Sequence, residues 1–194
     1  MARCRSQQAL GARAAPVAPP RASGVSRPQP FAEPRRTVGD SIVEGAINFG
    51  ASSAEAWALA EHLMDQVHLP RDALKRYPSQ FSGGQRQRIA IARALACKPS
   101  VLVADEAVSA LDVSVQAQVL KLLREIQDEL GLGLLFITHD LRVAAQLCDR
   151  VVVMNQGQII EQGRTHELYA APQHEYTRRL FASAPGHRPQ ASNA

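Results

Sequence analysis

Two stretches carry residue types that could do chemistry together. Phe81-Ser82-Gly83-Gly84-Gln85-Arg86-Gln87-Arg88 sets a glycine pair at the mouth of a helix. Val101-Leu102-Val103-Ala104-Asp105-Glu106 is an apolar run ending in two adjacent carboxylates. A histidine, His139, follows another apolar run, Leu134-Leu135-Phe136-Ile137. The chemistry these types suit is phosphoryl transfer. At a helix start, Ser82, Gly83 and Gly84 offer free amides, the positive end of the helix dipole and no Cβ to block a phosphate. Asp105 would hold Mg²⁺, directly or through water, and Glu106 would orient and polarise the attacking water. His139 would hydrogen-bond the γ-phosphate or that water.

Each feature also has a plain structural use. A carboxylate pair after a strand often caps a helix, a lone histidine at a strand end is usually structural, and Gly-Gly before a helix is often a turn. Ser82 can simply cap its own helix. Arg86, Arg88 and Arg93 can form a solvated face, and the cysteines can fill core. The chemical reading rests on co-occurrence in a fixed order, on elements that would bring the groups together.

Those elements are legible. Thr37 can cap a short helix carrying Val38, Ile42, Val43 and Ala46, and Ser52 or Ser53 opens a second one. Pro70 begins a further helical turn, which Pro78 stops. Ser82-x-x-Gln85 fits a capping box for a helix over about 83–96. Val101–Ala104 reads as a strand buried on both faces of a parallel sheet. A long helix spans about Val113 to Leu130, with Gly131 as its C-cap. Leu134–Ile137 reads as a second buried strand, and Leu141–Cys148 as a helix. Asn155-Gln156-Gly157 marks a hairpin between Val151–Met154 and Gln158–Glu161. Thr165–Ala170 and about His174–Phe181 are closing helices. The order is α/β. In such sheets ligands sit beyond the carboxyl ends of the strands, where Asp105, Glu106 and His139 all fall.

Bulk composition narrows the classes. The chain has 194 residues and 45% apolar content, enough for a domain with a core. No apolar run reaches membrane-spanning length. Three scattered cysteines, Cys4, Cys97 and Cys148, make neither a disulfide framework nor a zinc site. The net charge of +4 invites nucleic acid, but residues 1–30 carry five arginines and no acid, which leaves the remainder at −1. The basicity belongs to a tail rich in Ala, Arg and Pro, expected to be disordered. An Arg-rich, acid-poor start also has the composition of a transit peptide, but five prolines argue against an amphipathic helix. The preferred expectation is a start codon upstream of a truncated reading frame.

Phe81–Gln85 resembles the signature motif of ABC-type ATPases, and Val101–Glu106 is similar to their Walker B strand. Ser109-Ala110-Leu111-Asp112 resembles the D-loop, and His139 stands at the position of the switch histidine. The likeness extends from roughly Pro34 to Pro185. Three details resemble the oligopeptide/dipeptide importer branch. They are the run Ala104–Ser114, phenylalanine ahead of Ser-Gly-Gly, and His174-Glu175-Tyr176-Thr177-Arg178-Arg179-Leu180, where Glu175 replaces the branch's proline.

The resemblance implies an α/β fold, an incomplete P-loop NTPase (ABC-type) domain made of a helical subdomain plus the C-terminal part of the parallel-sheet core. Its parts would be a tail over 1–33, a helical signature subdomain over 34–99, half of the ATPase core over 100–163, importer-type helices over 164–184 and a tail over 185–194. It further implies ATP and Mg²⁺ as cofactors, Asp105 as the metal residue, Glu106 and His139 as catalytic residues, and Asp112 as the D-loop residue. Ser82, Gly83, Gly84 and Gln85 would bind nucleotide in trans, in a head-to-tail dimer with a second ABC ATPase subunit. Transmembrane permease subunits would hold the pair at the cytoplasmic face of the cell membrane, with no nucleic acid involved.

One part of the pattern is missing. A P-loop needs Gly-Lys-Ser/Thr to cradle phosphates. The three lysines, Lys75, Lys98 and Lys121, follow Leu74, Cys97 and Leu120. Gln29, in Pro28-Gln29-Pro30-Phe31, is a candidate for a worn Q-loop glutamine. The expectation is therefore a subunit that does not hydrolyse ATP alone, and a sheet with an open edge. The alternatives are a non-catalytic remnant or interaction protein without an ATP role, and an ABC ATPase of DNA repair or translation. The latter usually carry long coiled-coil insertions that this chain lacks.

Overall fold

A computed structural model describes residues 22–26 and 36–183. The helical part comes first. Helix α1 (Val38–Asn48) starts from a capping box, in which the Thr37 side chain accepts from the Asp40 N–H and the Asp40 carboxylate accepts from the Thr37 N–H. Its buried residues Val38, Ile42, Val43 and Ala46 recur at helical spacing. Helix α2 (Ser53–Gln66) repeats the device with Ser52 and Glu55, which settles its cap on Ser52. The two helices meet at Gly39, where a Cβ would lie 2.6 Å from the Trp57 ring. The indole occupies the space that a side chain would need. Short 3₁₀ turns at 71–75 and 78–80 lead into α3 (Gly83–Leu95).

Three strands form a parallel sheet in the order β1 (Ala22–Ser26), β2 (Val101–Asp105), β3 (Gly133–Ile137). Helix α4 (Val113–Leu130) makes the crossover from β2 to β3 and ends at Gly131, whose φ of 61° is the left-handed C-cap. Leu102 of β2 and Leu122, Leu123 and Ile126 of α4 are fully buried in one core that also takes in α1, α2 and α3. Burial of each such side chain contributes about 1.5–3 kcal/mol. Beyond β3, helix α5 (Leu141–Leu147) leads to the antiparallel hairpin β4 (Arg150–Asn155) and β5 (Gln158–Arg164). Gln156 and Gly157 at the turn both have positive φ, 49° and 77°, as a tight primed turn requires. Helices α6 (Thr165–Ala170) and α7 (Glu175–Ala182) close a small second core of Val153, Leu168 and Phe181. No helix among the described residues is long and apolar enough to cross a membrane.

Two expectations are corrected. The tail over 1–33 is not featureless, because Ala22–Ser26 pairs in register with Val101–Asp105. The open edge of β2 supplies backbone partners that a short, small-residue segment can satisfy without a core of its own. The rest of that tail, Gln29 included, and residues 185–194 lie outside the described residues. Strand β3 is also not buried on both faces. Among the described residues it is the last strand of its sheet, and Leu135 and Ile137 are 54% and 47% exposed.

Candidate functional site

The glycine pair begins α3. The Ser82 Oγ accepts from the Gln85 N–H at 3.3 Å, and the Gln85 Oε1 accepts from the Ser82 N–H at 3.0 Å. Both side chains are thus used on the cap. The N–H groups of Gly83 and Gly84, in the first helical turn, have no intrahelical acceptor and are available to an anion. The glycines have a second purpose that the sequence reading did not assign. A Cβ on Gly84 would lie 2.3 Å from Val115 Cγ1, and one on Gly83 would lie 3.3 Å from Leu111 Cδ2. The pair therefore lets the start of α3 close against the start of α4.

Asp112 is the N-cap of α4. Its Oδ1 accepts from the N–H groups of Ser114 at 3.1 Å and Val115 at 3.0 Å, and from the Ser114 hydroxyl at 2.8 Å. The Val115 N–H first, then the Ser114 hydroxyl, hold its carboxyl below the usual carboxylate range. Asp140, the cap of α5, is lowered chiefly by the Arg142 guanidinium. Glu161 on β5 is lowered as well, and its two carboxylate oxygens accept from the Gln173 N–H at 2.8 Å and the His174 N–H at 3.1 Å. With folded values below unfolded ones near 4, this stability is present above about pH 4 and fades as pH falls through the folded values. The thermal midpoint is therefore expected to fall as the pH drops below about 4. Asp112→Asn keeps the cap without the charge, and its fall should be shallower. Equal slopes in thermal melts would count against this role for Asp112.

Beyond the cap, Arg86 and Arg88 do not form a solvated face. The Arg86 Nη1 donates to the Phe81 carbonyl at 2.9 Å. Arg88 donates from Nη1 to the Val67 carbonyl at 3.4 Å and from Nη2 to Gln118 Oε1 at 3.1 Å, tying α2 to α4. Phe81 itself is buried, with the Arg76 guanidinium 4.8 Å from its ring centroid.

The carboxylates and the histidine meet at the strand ends. Asp105 closes β2 and pairs in register with Ile137, the last residue of β3. Glu106 has a φ of 47°, uncommon for a residue with a side chain, and its N–H donates to the Ile137 carbonyl at 2.8 Å. That bend leaves Glu106 Oε1 3.2 Å from His139 Nδ1. Strained backbone concentrates at sites with a function to serve. The Glu106 side chain is 26% exposed and that of His139 is 69% exposed, so the pair opens to solvent. The Ser109 hydroxyl donates to the Glu106 carbonyl at 3.1 Å, a support that the sequence reading missed. Among the described residues, no group of three His, Cys, Asp or Glu side chains could enclose a metal ion. One or two carboxylates completed by nucleotide phosphates and water are nevertheless what Mg²⁺ ordinarily accepts. Asp105 fits that need, and the ion would polarise a phosphoryl oxygen there.

A parallel sheet with an acid pair and a histidine on adjacent strand ends, together with a capped Gly-Gly helix start packed on α4, is part of an ABC-type P-loop NTPase fold. The ABC transporter family model matches residues 13–109, and the chain belongs to that family. The match begins some twenty residues before Pro34, where the sequence reading began the likeness. A Brucella ovis protein named for ATP binding in peptide import is 52% identical over 165 residues, which cover 84% of this chain and 52% of that protein. The glutathione import ATP-binding protein GsiA of Escherichia coli strain K12 is 47% identical over 161 residues, 81% of this chain and 26% of GsiA. The chain thus spans about half the length of the Brucella relative. Among solved structures, cbiO1 from Clostridium perfringens, part of the ABC transporter complex cbiONQ, superposes with a TM-score of 0.69 at 28% identity. That superposition covers 84% of this chain and 64% of cbiO1.

Proposed function

We propose that the chain serves as an ATP-binding subunit of an ABC-type importer of peptides or similar small solutes, coupling ATP hydrolysis to transport. The observation that carries this reading is the Glu106–His139 contact of 3.2 Å beside Asp105, at the ends of adjacent parallel strands. In this arrangement Glu106 polarises the attacking water, His139 holds Glu106 and reaches the γ-phosphate or the water, and Asp105 holds Mg²⁺. The peptide and glutathione names of the relatives support the substrate class. Permease subunits, a second ATP-binding subunit and a place on the cytoplasmic face of the membrane belong to the same reading.

The chain contains no Gly-Lys-Ser/Thr triplet. On this reading the α3 start serves an ATP whose phosphates the P-loop of another subunit cradles. Ser82→Arg places a long cation over the first-turn amides and should abolish that contribution. When the full chain is mixed with a P-loop-bearing relative, wild type is expected to tighten ATP binding by the relative and Ser82→Arg is not. Equal ATP affinity with either chain would refute the role of the helix start.

A further inference from the structure

We propose that the open cleft bounded by α5, the base of the β4–β5 hairpin and α6 binds a phosphate-class oxyanion between Arg150 and Arg164. The two arginines are register partners, directly opposite each other across the antiparallel pair. At such positions side chains start about 4.5–5.5 Å apart, and like charges there are destabilising. Neither arginine makes an ion pair or side-chain hydrogen bond among the described residues. Both line the cleft, of about 710 Å³, together with Asp149, His166 and Tyr169.

The local charges do not cancel the pair. Asp149 faces Arg124, at 4.0 Å, and His166 lies 3.8 Å from Glu167. The frame around the pair is firmly tied. The Thr165 N–H donates to the Asp149 carbonyl at 3.0 Å, the Thr165 hydroxyl donates to the Cys148 carbonyl, and the Tyr169 hydroxyl donates to the Leu141 carbonyl. Two guanidinium forks on a fixed ladder suit an oxyanion that accepts two donors from each. The ring of Tyr169 and the stem of Cys148 leave room for a small organic body beside it. The cleft shares no residue with the Glu106–His139 pair or the α3 start, so the inference does not depend on the importer reading.

The test uses the full chain. Pyrophosphate is expected to raise its thermal midpoint more than sodium chloride of equal ionic strength does. Arg150→Gln and Arg164→Gln should each bind pyrophosphate roughly tenfold or more weakly by calorimetry. Without the anion, they should melt no lower than wild type, because the like-charge pair is relieved. Lys75→Gln makes the same charge change elsewhere and should behave as wild type. Pyrophosphate should also shield Arg150 and Arg164 of the unaltered protein from an arginine-specific dicarbonyl reagent, read by mass spectrometry, which needs no variant to fold. A free phosphate compound and a lipid headgroup share this chemistry. Response to pyrophosphate without binding to phosphatidic acid vesicles assigns the first, and binding to those vesicles but not to phosphatidylcholine, without response to pyrophosphate, assigns the second. The proposal is overturned if neither probe binds, if the arginine variants respond as fully as wild type, or if only residues at the α3 start are shielded.

Discussion

Gly84→Ala is expected to destabilise the chain by about 1–3 kcal/mol, the usual cost of forcing extra volume into a packed site. In a chain of this size that is a fall in thermal midpoint of roughly 2–4 °C per kcal/mol. The cause is the 2.3 Å approach of the new Cβ to Val115 Cγ1. Valine is branched at Cβ and held to one rotamer in a helix, so the methyl cannot swing aside. Alanine is the better helix former by up to about 1 kcal/mol, but an overlap of this depth outweighs that gain. Val115 lies in the first turn of α4, three residues after its Asp112 cap, so the strain falls between the two helix starts. Adding Val115→Ala removes the obstructing methyls. Gly84→Ala should then cost little relative to Val115→Ala alone, giving a double-mutant coupling of opposite sign to the single cost. Urea denaturation of the four proteins measures this. A Gly84→Ala protein as stable as wild type would leave only the anion to explain the glycine.

The same contact marks where sequence reasoning stops. The caps of α1, α2 and α3 were legible because Thr37–Asp40, Ser52–Glu55 and Ser82–Gln85 each satisfy amides within three residues, a purely local bargain. The hairpin was legible for the same reason, since Gly157 suits the positive φ of a tight turn. Strand ends carrying Asp105, Glu106 and His139 were legible because an apolar run fixes a strand, and parallel topology fixes the edge at which it ends. What escaped depends on distant partners. Ala22–Ser26 has no pattern of its own and becomes a strand only through β2. Leu135 and Ile137 read as buried because their apolar run gives no sign of which strand is last in the sheet. Gln87 looks like part of a polar run beside Arg86 and Arg88, yet it is completely buried, and neither of its amide atoms is hydrogen-bonded among the described residues. Its burial follows from its place one turn along the helix from Gly84, on the side that α4 covers.

The second large effect is expected at Glu106. A chimera tests it, in which this chain's sequence from Pro34 to Pro185 replaces the matching part of the Brucella ovis relative, so that the relative contributes the rest of the domain. The chimera is expected to hydrolyse ATP, and Glu106→Gln to lower kcat roughly 10²–10⁴-fold, the span that a general base contributes. The substitution keeps the shape and the position at the bend but removes the charge that would polarise water. ATP should still bind, because the proposed reading gives the metal ion to Asp105 and only the attacking water to Glu106. A fall in kcat with little change in KM therefore identifies the loss as one made in the transition state. His139→Ala removes the contact at 3.2 Å and frees the Glu106 side chain, so it should lower kcat less than removing the carboxylate. Asp105→Asn, by contrast, should raise the Mg²⁺ concentration needed for half-maximal rate. If Glu106→Gln leaves kcat within a few-fold of the parent chimera, the carboxylate has no part in the chemistry and Glu106 only occupies the bend after β2.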